Sequence, residues 1–290
     1  MNNGRIIKVL GDAYFIVSGE QVFEGRAAGK FRIMDSAPRV GDLVTFLTED
    51  KFAYITEILP RKNTIVRPTL ANIDQMLIIV SAAPPCTDVR LIDKLCVLAA
   101  SKGILPVICV NKTDIDRGDS YRAIYEKTPF KVIALSAVSG EGRDELLALL
   151  PDKLSMLVGN SGVGKSSILN MLLGEALMEI GEISKKIGRG RHTTRHIELL
   201  PFFGGLLADT PGFSSFDLFQ MEIREHELLA DCFPEFAPFL GQCRFNDCTH
   251  RQEPDCAILN AVKDGIISSS RQESYALFYD IVSKVNPWER

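Results

Sequence analysis

The apolar run Leu154-Ser155-Met156-Leu157-Val158 leads into Gly159-Asn160-Ser161-Gly162-Val163-Gly164-Lys165-Ser166, and the amphipathic stretch from Ser167 to Leu173 follows. Together they fit G-x-x-x-x-G-K-S in its strand, loop and helix context, which commits the middle of the chain to an α/β layer with a phosphate cradle. Glycines let backbone N–H groups curl round phosphates, a helix N-terminus adds partial positive charge, and Lys165 can bridge the terminal phosphates. Ser166 is placed to ligate Mg²⁺.

The base-reading residues come earlier in the chain than this loop. Asn111-Lys112-Thr113-Asp114 follows the apolar run Leu105-Pro106-Val107-Ile108-Cys109-Val110. The Asp114 carboxylate can accept from both N1–H and the 2-amino group of guanine. Adenine lacks that donor pair, so it would leave a buried charge unpaired. A second strand-like run, Lys131 to Leu135, ends in Ser136-Ala137, a short loop suited to supporting the base.

The remaining marks follow the phosphate loop. Asp209-Thr210-Pro211-Gly212 closes the run Gly205-Leu206-Leu207-Ala208. Asp209 is expected at the Mg²⁺ hydration shell, with the Gly212 N–H near the γ-phosphate. Upstream, Lys185 to His196 is basic and Gly-broken, and reads as a loop in which Thr193 or Thr194 senses Mg²⁺ and the γ-phosphate. Phe213 occupies the position where many GTPases carry a water-orienting Gln, so slow intrinsic turnover is expected. His192, with His196 second, is the candidate to position water. The rotated order also makes Asp209 to Gly212 run directly into a separate C-terminal segment.

The flanks differ from the centre. Residues 1 to 64 hold five short strand-like runs, Arg5–Leu10, Ala13–Val17, Val22–Ala28, Leu43–Thr48 and Phe52–Leu59, separated by turn residues, which predicts a small all-β barrel of the oligonucleotide-binding (OB) kind. Arg26, Lys30, Arg32 and Arg39 with Tyr14, Phe23 and Phe31 form either a cationic stacking face or a core with solvated charges around it. Beyond 220 the pattern turns helical. Cys243, Cys248, His250 and Cys256 supply three thiols and an imidazole, a closed tetrahedral Zn²⁺ set expected to be structural. Such binding contributes on the order of 10 kcal/mol to folding a core-poor segment. Pro254 is expected to start the helix that carries Cys256, and Gly265 to end it. Cys86, Cys96, Cys109 and Cys232 read as buried thiols, and the odd total of seven argues against a disulfide framework.

Composition bounds the partners. A formal charge of −4 excludes a wholly basic nucleic-acid coat, so any RNA contact must use local patches such as 184 to 196. The 290 residues suit a multi-domain enzyme, they contain no run approaching a membrane span and the start has no signal-like core, so a cytoplasmic protein with no membrane partner is expected, and a monomer is expected as well.

As a set, these motifs resemble the RsgA family, the circularly permuted, small-subunit-dependent GTPases of bacterial ribosome maturation. The resemblance covers essentially the whole chain. It implies an OB-fold domain (1–64), a circularly permuted P-loop GTPase domain (65–220) and a mainly helical zinc-binding domain (221–290). It also implies binding to the small (30S) ribosomal subunit and its rRNA, GTP hydrolysis to GDP stimulated by that subunit, and a role in late subunit assembly. By matched motif, Asn111, Lys112 and Asp114 with Thr113, Ser136 and Ala137 would hold guanine, and Gly159 to Ser167 the phosphates. Ser166, Thr194 and Asp209 would hold Mg²⁺, Cys243, Cys248, His250 and Cys256 would hold Zn²⁺, and Lys165, Thr194 and His192 would serve hydrolysis. Guanosine tetraphosphate is a plausible competitor for a GDP-shaped site. Two other classes stay open on the residues alone: a nucleotide-gated regulator with a protein partner, and a non-hydrolysing GTP sensor, which Phe213 suggests.

Overall fold

The structure, a computed structural model, describes residues 1–29, 31, 37–49, 52–66, 68–173, 197–209 and 228–284. In chain order the strands are β1 (Asn2–Leu10), β2 (Ala13–Ser18), β3 (Gln21–Ala27), β4 (Leu43–Glu49), β5 (Phe52–Ile58), β6 (Thr64–Ile65), β7 (Leu70–Ala71), β8 (Gln75–Ser81), β9 (Leu105–Asn111), β10 (Lys131–Ala134), β11 (Leu154–Val158), β12 (Glu198–Phe202) and β13 (Gly205–Asp209). The helices are α1 (Val89–Ser101), α2 (Asp119–Tyr125), α3 (Arg143–Leu147), α4 (Lys165–Leu173), α5 (Ala257–Lys263) and α6 (Ser269–Ser283). Two compact units result. One comprises Met1–Met76, Asp144–Val158 and Leu169–Gly212; the other comprises Leu77–Arg143, Gly159–Ile168 and Phe213–Arg290.

In the first unit, β1 to β5 form a closed barrel. Neighbours run β1-β2-β3-β5-β4, and β4 returns to β1 through Asn2↔Phe46 to Arg5↔Leu43. Alternation explains the closure: Val44, Phe46, Ala53 and Ile55 point inward with Ile6, Ile16 and Phe31, while neighbouring positions face out. Of the two readings of the aromatics, the core one holds. Phe31 is buried, Tyr14 and Phe23 pack on that core, and Phe23 lies 5.4 Å from Phe46. Lys30 and Arg32 lie outside the described residues. Among the described residues of the barrel, Tyr54 is an exposed aromatic, edge-on to Phe52.

After β5 the chain is pinned by polar bonds. Fully buried Asp42 takes a bidentate pair from Arg61, at 2.7 and 2.8 Å. Asn63 exchanges two bonds with Ile73, and the Asp74 carboxylate accepts from the Leu154 N–H at 2.7 Å. The start of β11 is thus set by a side chain eighty residues away. Within the same unit β11 runs parallel to β13, and β12 runs antiparallel to β13.

In the second unit, β8 from Leu77 onward, β9 and β10 stand in that order, with β9 and β10 parallel. The near-continuous burial of β8 and β9 fits strands covered on both faces. Helix α1 starts at Asp88, whose carboxylate caps the Arg90 N–H, and it buries Ile92, Leu95, Cys96, Val97 and Leu98. The C-terminal part is helical, with a core of Phe233, Phe236, Tyr275 and Phe278 that includes Val97 of α1. Inside it sits an ionic triad: Arg271 bonds Asp93 at 2.7 Å and Glu235 at 2.6 Å, all essentially buried. The Arg271 guanidinium lies 4.5 Å from the Phe233 ring centre, and the Tyr125 hydroxyl donates to Asp93. Burial opposes the Arg271 charge, yet the two carboxylates hold its pKa above the usual arginine value.

Two local expectations change. Helix α5 begins at Ala257 with Cys256 as its N-cap, so Pro254 belongs to the preceding turn. Gly265 ends that helix at φ +72° as expected. Cys86 is exposed rather than buried, and its thiol donates to the Ala82 carbonyl; Cys96, Cys109 and Cys232 are buried.

Candidate functional site

The phosphate loop leaves β11 at Gly159, and α4 starts at Lys165. Two of its glycines are sterically required. A Cβ on Gly159 (φ +144°) would come within 2.4 Å of the Ile79 carbonyl, and one on Gly164 (φ +98°) within 2.3 Å of Asn111 Nδ2. Val163 is buried, while Asn160, Ser161, Gly162, Ser166 and Ser167 are exposed along the rim. Lys165 Nζ donates to the carbonyls of Gly159 (2.6 Å) and Asn160 (2.7 Å), and burial lowers its pKa. Its amine therefore lies across the mouth of the loop.

Asn111 links two parts of the site. It is buried at the end of β9, donates from Nδ2 to the Val163 carbonyl at 2.8 Å and accepts at Oδ1 from the Ala137 N–H at 3.3 Å. One side chain thus ties the phosphate loop to the Ser136-Ala137 loop. Lys112 follows at φ +68°. Thr113 is clamped by its hydroxyl to the Leu135 carbonyl (2.9 Å) and to Glu141 (2.6 Å). Asp114 Oδ1 accepts from Ser136 Oγ at 2.7 Å, and the same Oγ accepts from the Val138 and Ser139 N–H groups. Ser136 therefore acts as the orienting group of the Asp114 carboxylate. Glu141 and the Ser136 hydroxyl role were not singled out from the sequence, and only the proximity of Ser136 to the strand end hinted at the latter.

His192, Thr193, Thr194, His196, Gly212 and Phe213 lie outside the described residues. Asp209 is described through its backbone, as the last residue of β13 paired with Glu198.

The cysteine segment brings all four named ligands together. Cys243, Cys248, His250 and Cys256 place their ligand atoms within 4.8 Å of one another. Cys243 Sγ is 3.4 Å and Cys256 Sγ 3.5 Å from His250 Nδ1, and the two sulfurs are 3.9 Å apart. A tetrahedron built on metal–sulfur and metal–nitrogen bonds of about 2.3 and 2.05 Å has edges of about 3.8 and 3.6 Å. The donor set fits the ion. His250 sits at φ +59° in a turn held by Glu253, which accepts from the N–H groups of Thr249, Arg251 and Gln252 and from the Thr249 hydroxyl. Although burial alone raises it, these bonds pull the Glu253 carboxyl down to about 2. Gln272 and Tyr275 of α6 donate to the carbonyls of His250 and Thr249. Burial pushes the Cys248 thiol up to about 12, so its thiolate is favoured only beside a cation, and lowers the His250 pKa, which keeps the imidazole in the neutral form that ligates.

A family model described as RsgA GTPase matches residues 58–219, and one described as RsgA N-terminal domain matches residues 3–55. The chain belongs to the RsgA GTPase family. A relative from Caldanaerobacter subterraneus subsp. tengcongensis, named small ribosomal subunit biogenesis GTPase RsgA, is 43% identical over 94% of this chain and 92% of its own. One of the same name from Geobacillus kaustophilus is 42% identical over 96% of each chain. Among solved structures, YloQ, described as a circularly permuted GTPase, superposes with a TM-score of 0.82 at 32% identity over 99% of this chain and 96% of its own. YjeQ from Thermotoga maritima gives 0.82 at 31% over 98% and 99%. The protein is a GTP hydrolase with a circularly permuted GTPase fold, consistent with a phosphate loop that follows its guanine motif.

Proposed function

We propose that this GTPase binds the small (30S) ribosomal subunit and its rRNA, hydrolyses GTP when stimulated by it, and acts late in subunit maturation. The observation that carries the reading is near-complete coverage of relatives named for small-subunit biogenesis, 92% and 96% of their own lengths. Support for the domain bounds near 64 and 220 comes from the family-model spans 3–55 and 58–219.

The residue roles follow from geometry and motif. Asp114, oriented by Ser136, accepts from guanine, and Thr113, Lys112, Ser136 and Ala137 shape the base site. Asn111 reads the base with them and also holds that site against the phosphate loop. Gly159 to Ser167 hold the phosphates, and Lys165 exchanges its two carbonyl partners for phosphate oxygens. Ser166, Thr194 and Asp209 hold Mg²⁺, which neutralises developing charge on the phosphates. With Phe213 in place of a polar residue, intrinsic turnover is slow, and His192 positions water once the partner is bound. Cys243, Cys248, His250 and Cys256 hold one structural Zn²⁺, with no ligand position left for water. The protein acts as a cytoplasmic monomer; no helix among the described residues is long and apolar enough to cross a membrane. Guanosine tetraphosphate competes for the GDP site.

Co-sedimentation with purified small and large subunits tests the partner. Retention on small subunits with a non-hydrolysable GTP analogue and release with GDP is the expected result. Equal pelleting with large subunits, or none with either, contradicts it. Replacing Asp114 by Asn is expected to move preference from guanine to xanthine nucleotides, and unchanged preference would remove that residue from base reading.

A further inference from the structure

Strand β1 serves two partners. Asn2 to Arg5 pair with β4 and close the barrel, whereas Lys8 pairs with Glu198 of β12. The change coincides with a break in the β1–β2 register, where Ile6 faces Ile16 but Lys8 faces Phe15, so Ile7 is the extra residue of a bulge. A bulge bends its strand and re-aims the residues beyond it. Here it lets consecutive residues both be buried, Ile6 in the barrel core and Ile7 outside that cluster, and it delivers Lys8 to β12.

Glu198 is paired on both sides. In the β12–β13 ladder it stands opposite Asp209, followed by Leu199↔Ala208 and Leu200↔Leu207. Lys8, Glu198 and Asp209 therefore occupy one row across three strands, and Asp209 opens the Asp-Thr-Pro-Gly motif. An opposite-charge pair at directly opposed ladder positions stabilises the pairing of its strands. Lys8 and Glu198 form one: Nζ lies 3.4 Å from Glu198 Oε2, the side chains are only 13% and 21% exposed, and the amine stands 5.9 Å from the Phe15 ring centre. The barrel is thus one strand removed from the motif that serves the γ-phosphate.

We propose that Lys8 and Glu198 are positioning residues for GTP hydrolysis: they hold β12, and through its ladder Asp209, in the register that the barrel sets. A partner that grips the barrel alters the hydrolysis site along this row. The inference rests on the proposed function for the identity of that partner, but the positioning itself does not.

The test uses the whole chain with Lys8→Met, Glu198→Gln, the exchange Lys8→Glu with Glu198→Lys, and Arg122→Ala, which removes the ion pair of Arg122 on α2 with Glu126 just beyond it. Two quantities are read: the ratio of small-subunit-stimulated to intrinsic turnover, and the Mg²⁺ concentration that half-saturates binding of a fluorescent GTP analogue. Each single variant is expected to lower the ratio by about fivefold or more and to shift the Mg²⁺ midpoint by about threefold. The exchange restores both, and Arg122→Ala changes neither. Wild-type values in the single variants overturn the proposal, as do equal losses in the single variants and the exchange, which mark a merely structural pair. Should the wild type itself show no stimulation, the partner reading fails, and the Mg²⁺ midpoints and their rescue decide the positioning role alone.

Discussion

Around Asn111, neutral hydrogen bonds join the phosphate loop to the Ser136-Ala137 loop within the protein itself. Around His250, four ligand atoms crowd within 4.8 Å and burial pushes the Cys248 thiol up to about 12. The first region is assembled by groups that satisfy one another without changing protonation. In the second, the Cys248 thiolate is favoured only beside a cation. The contrast teaches that nucleotide binding and C-terminal order draw on separate sources of stability, even though both regions lie in the second unit.

The strongest way to break this contrast is to remove the metal. Chelation, or Cys256→Ser, should cost the C-terminal segment on the order of 10 kcal/mol. Amide exchange read by mass spectrometry should rise across α5 and α6 while the amides near Asn111 and Val163 stay protected. Uniform exchange through both regions would show that the separation is false.

Next in size is the buried triad. Arg271→Met leaves Asp93 and Glu235 facing each other in the core with no cation, a loss of about 3–5 kcal/mol to be read from denaturant unfolding. Asp93 Oδ2, Glu235 Oε2 and Arg271 Nη2 have no partner among the described residues, whose bonds alone do not fully satisfy the triad. A change within about 1 kcal/mol would mean that apolar packing offsets the lost pair.

Asn111→Ala sharpens the comparison from the other side. It strips partners from the Val163 carbonyl and the Ala137 N–H, a penalty of about 1–3 kcal/mol. That should appear as weaker binding of GTP and GDP alike, with the cobalt-substituted spectrum of the cysteine site unchanged. Weakening confined to one nucleotide would contradict a tethering role.

The smallest effect concerns Glu253. Its depressed carboxyl contributes stability that is full above the unfolded value of about 4.3 and is lost as pH falls through about 2. The stability gap between wild type and Glu253→Gln should therefore shrink as pH falls below about 4.3. A gap that stays constant in acid unfolding would show that the carboxylate charge is not what holds the His250 turn.

Local pattern carried much of this architecture. The five barrel strands, the phosphate loop and the four metal ligands were legible because each rests on alternation or on spacing within a few turns of chain. What was not legible depends on distant partners. Nothing near Phe31 distinguishes a stacking face from a core, and only barrel closure buries it. The Asn111 tether spans 52 residues and the Arg271–Asp93 pair spans 178, separations at which a single sequence carries no pairing signal. Pro254 was read as a helix start on propensity, but Cys256 sits at the N-cap with the other ligands, and the helix begins after it.

The most direct measurement is GTP turnover by the zinc-loaded protein alone and with isolated small subunits, large subunits or naked RNA. Slow turnover alone and strong stimulation by small subunits only is the predicted result, since Phe213 leaves a site that a partner must complete. Turnover that no ribosomal component changes would contradict the account and point to a nucleotide switch gated by some other partner.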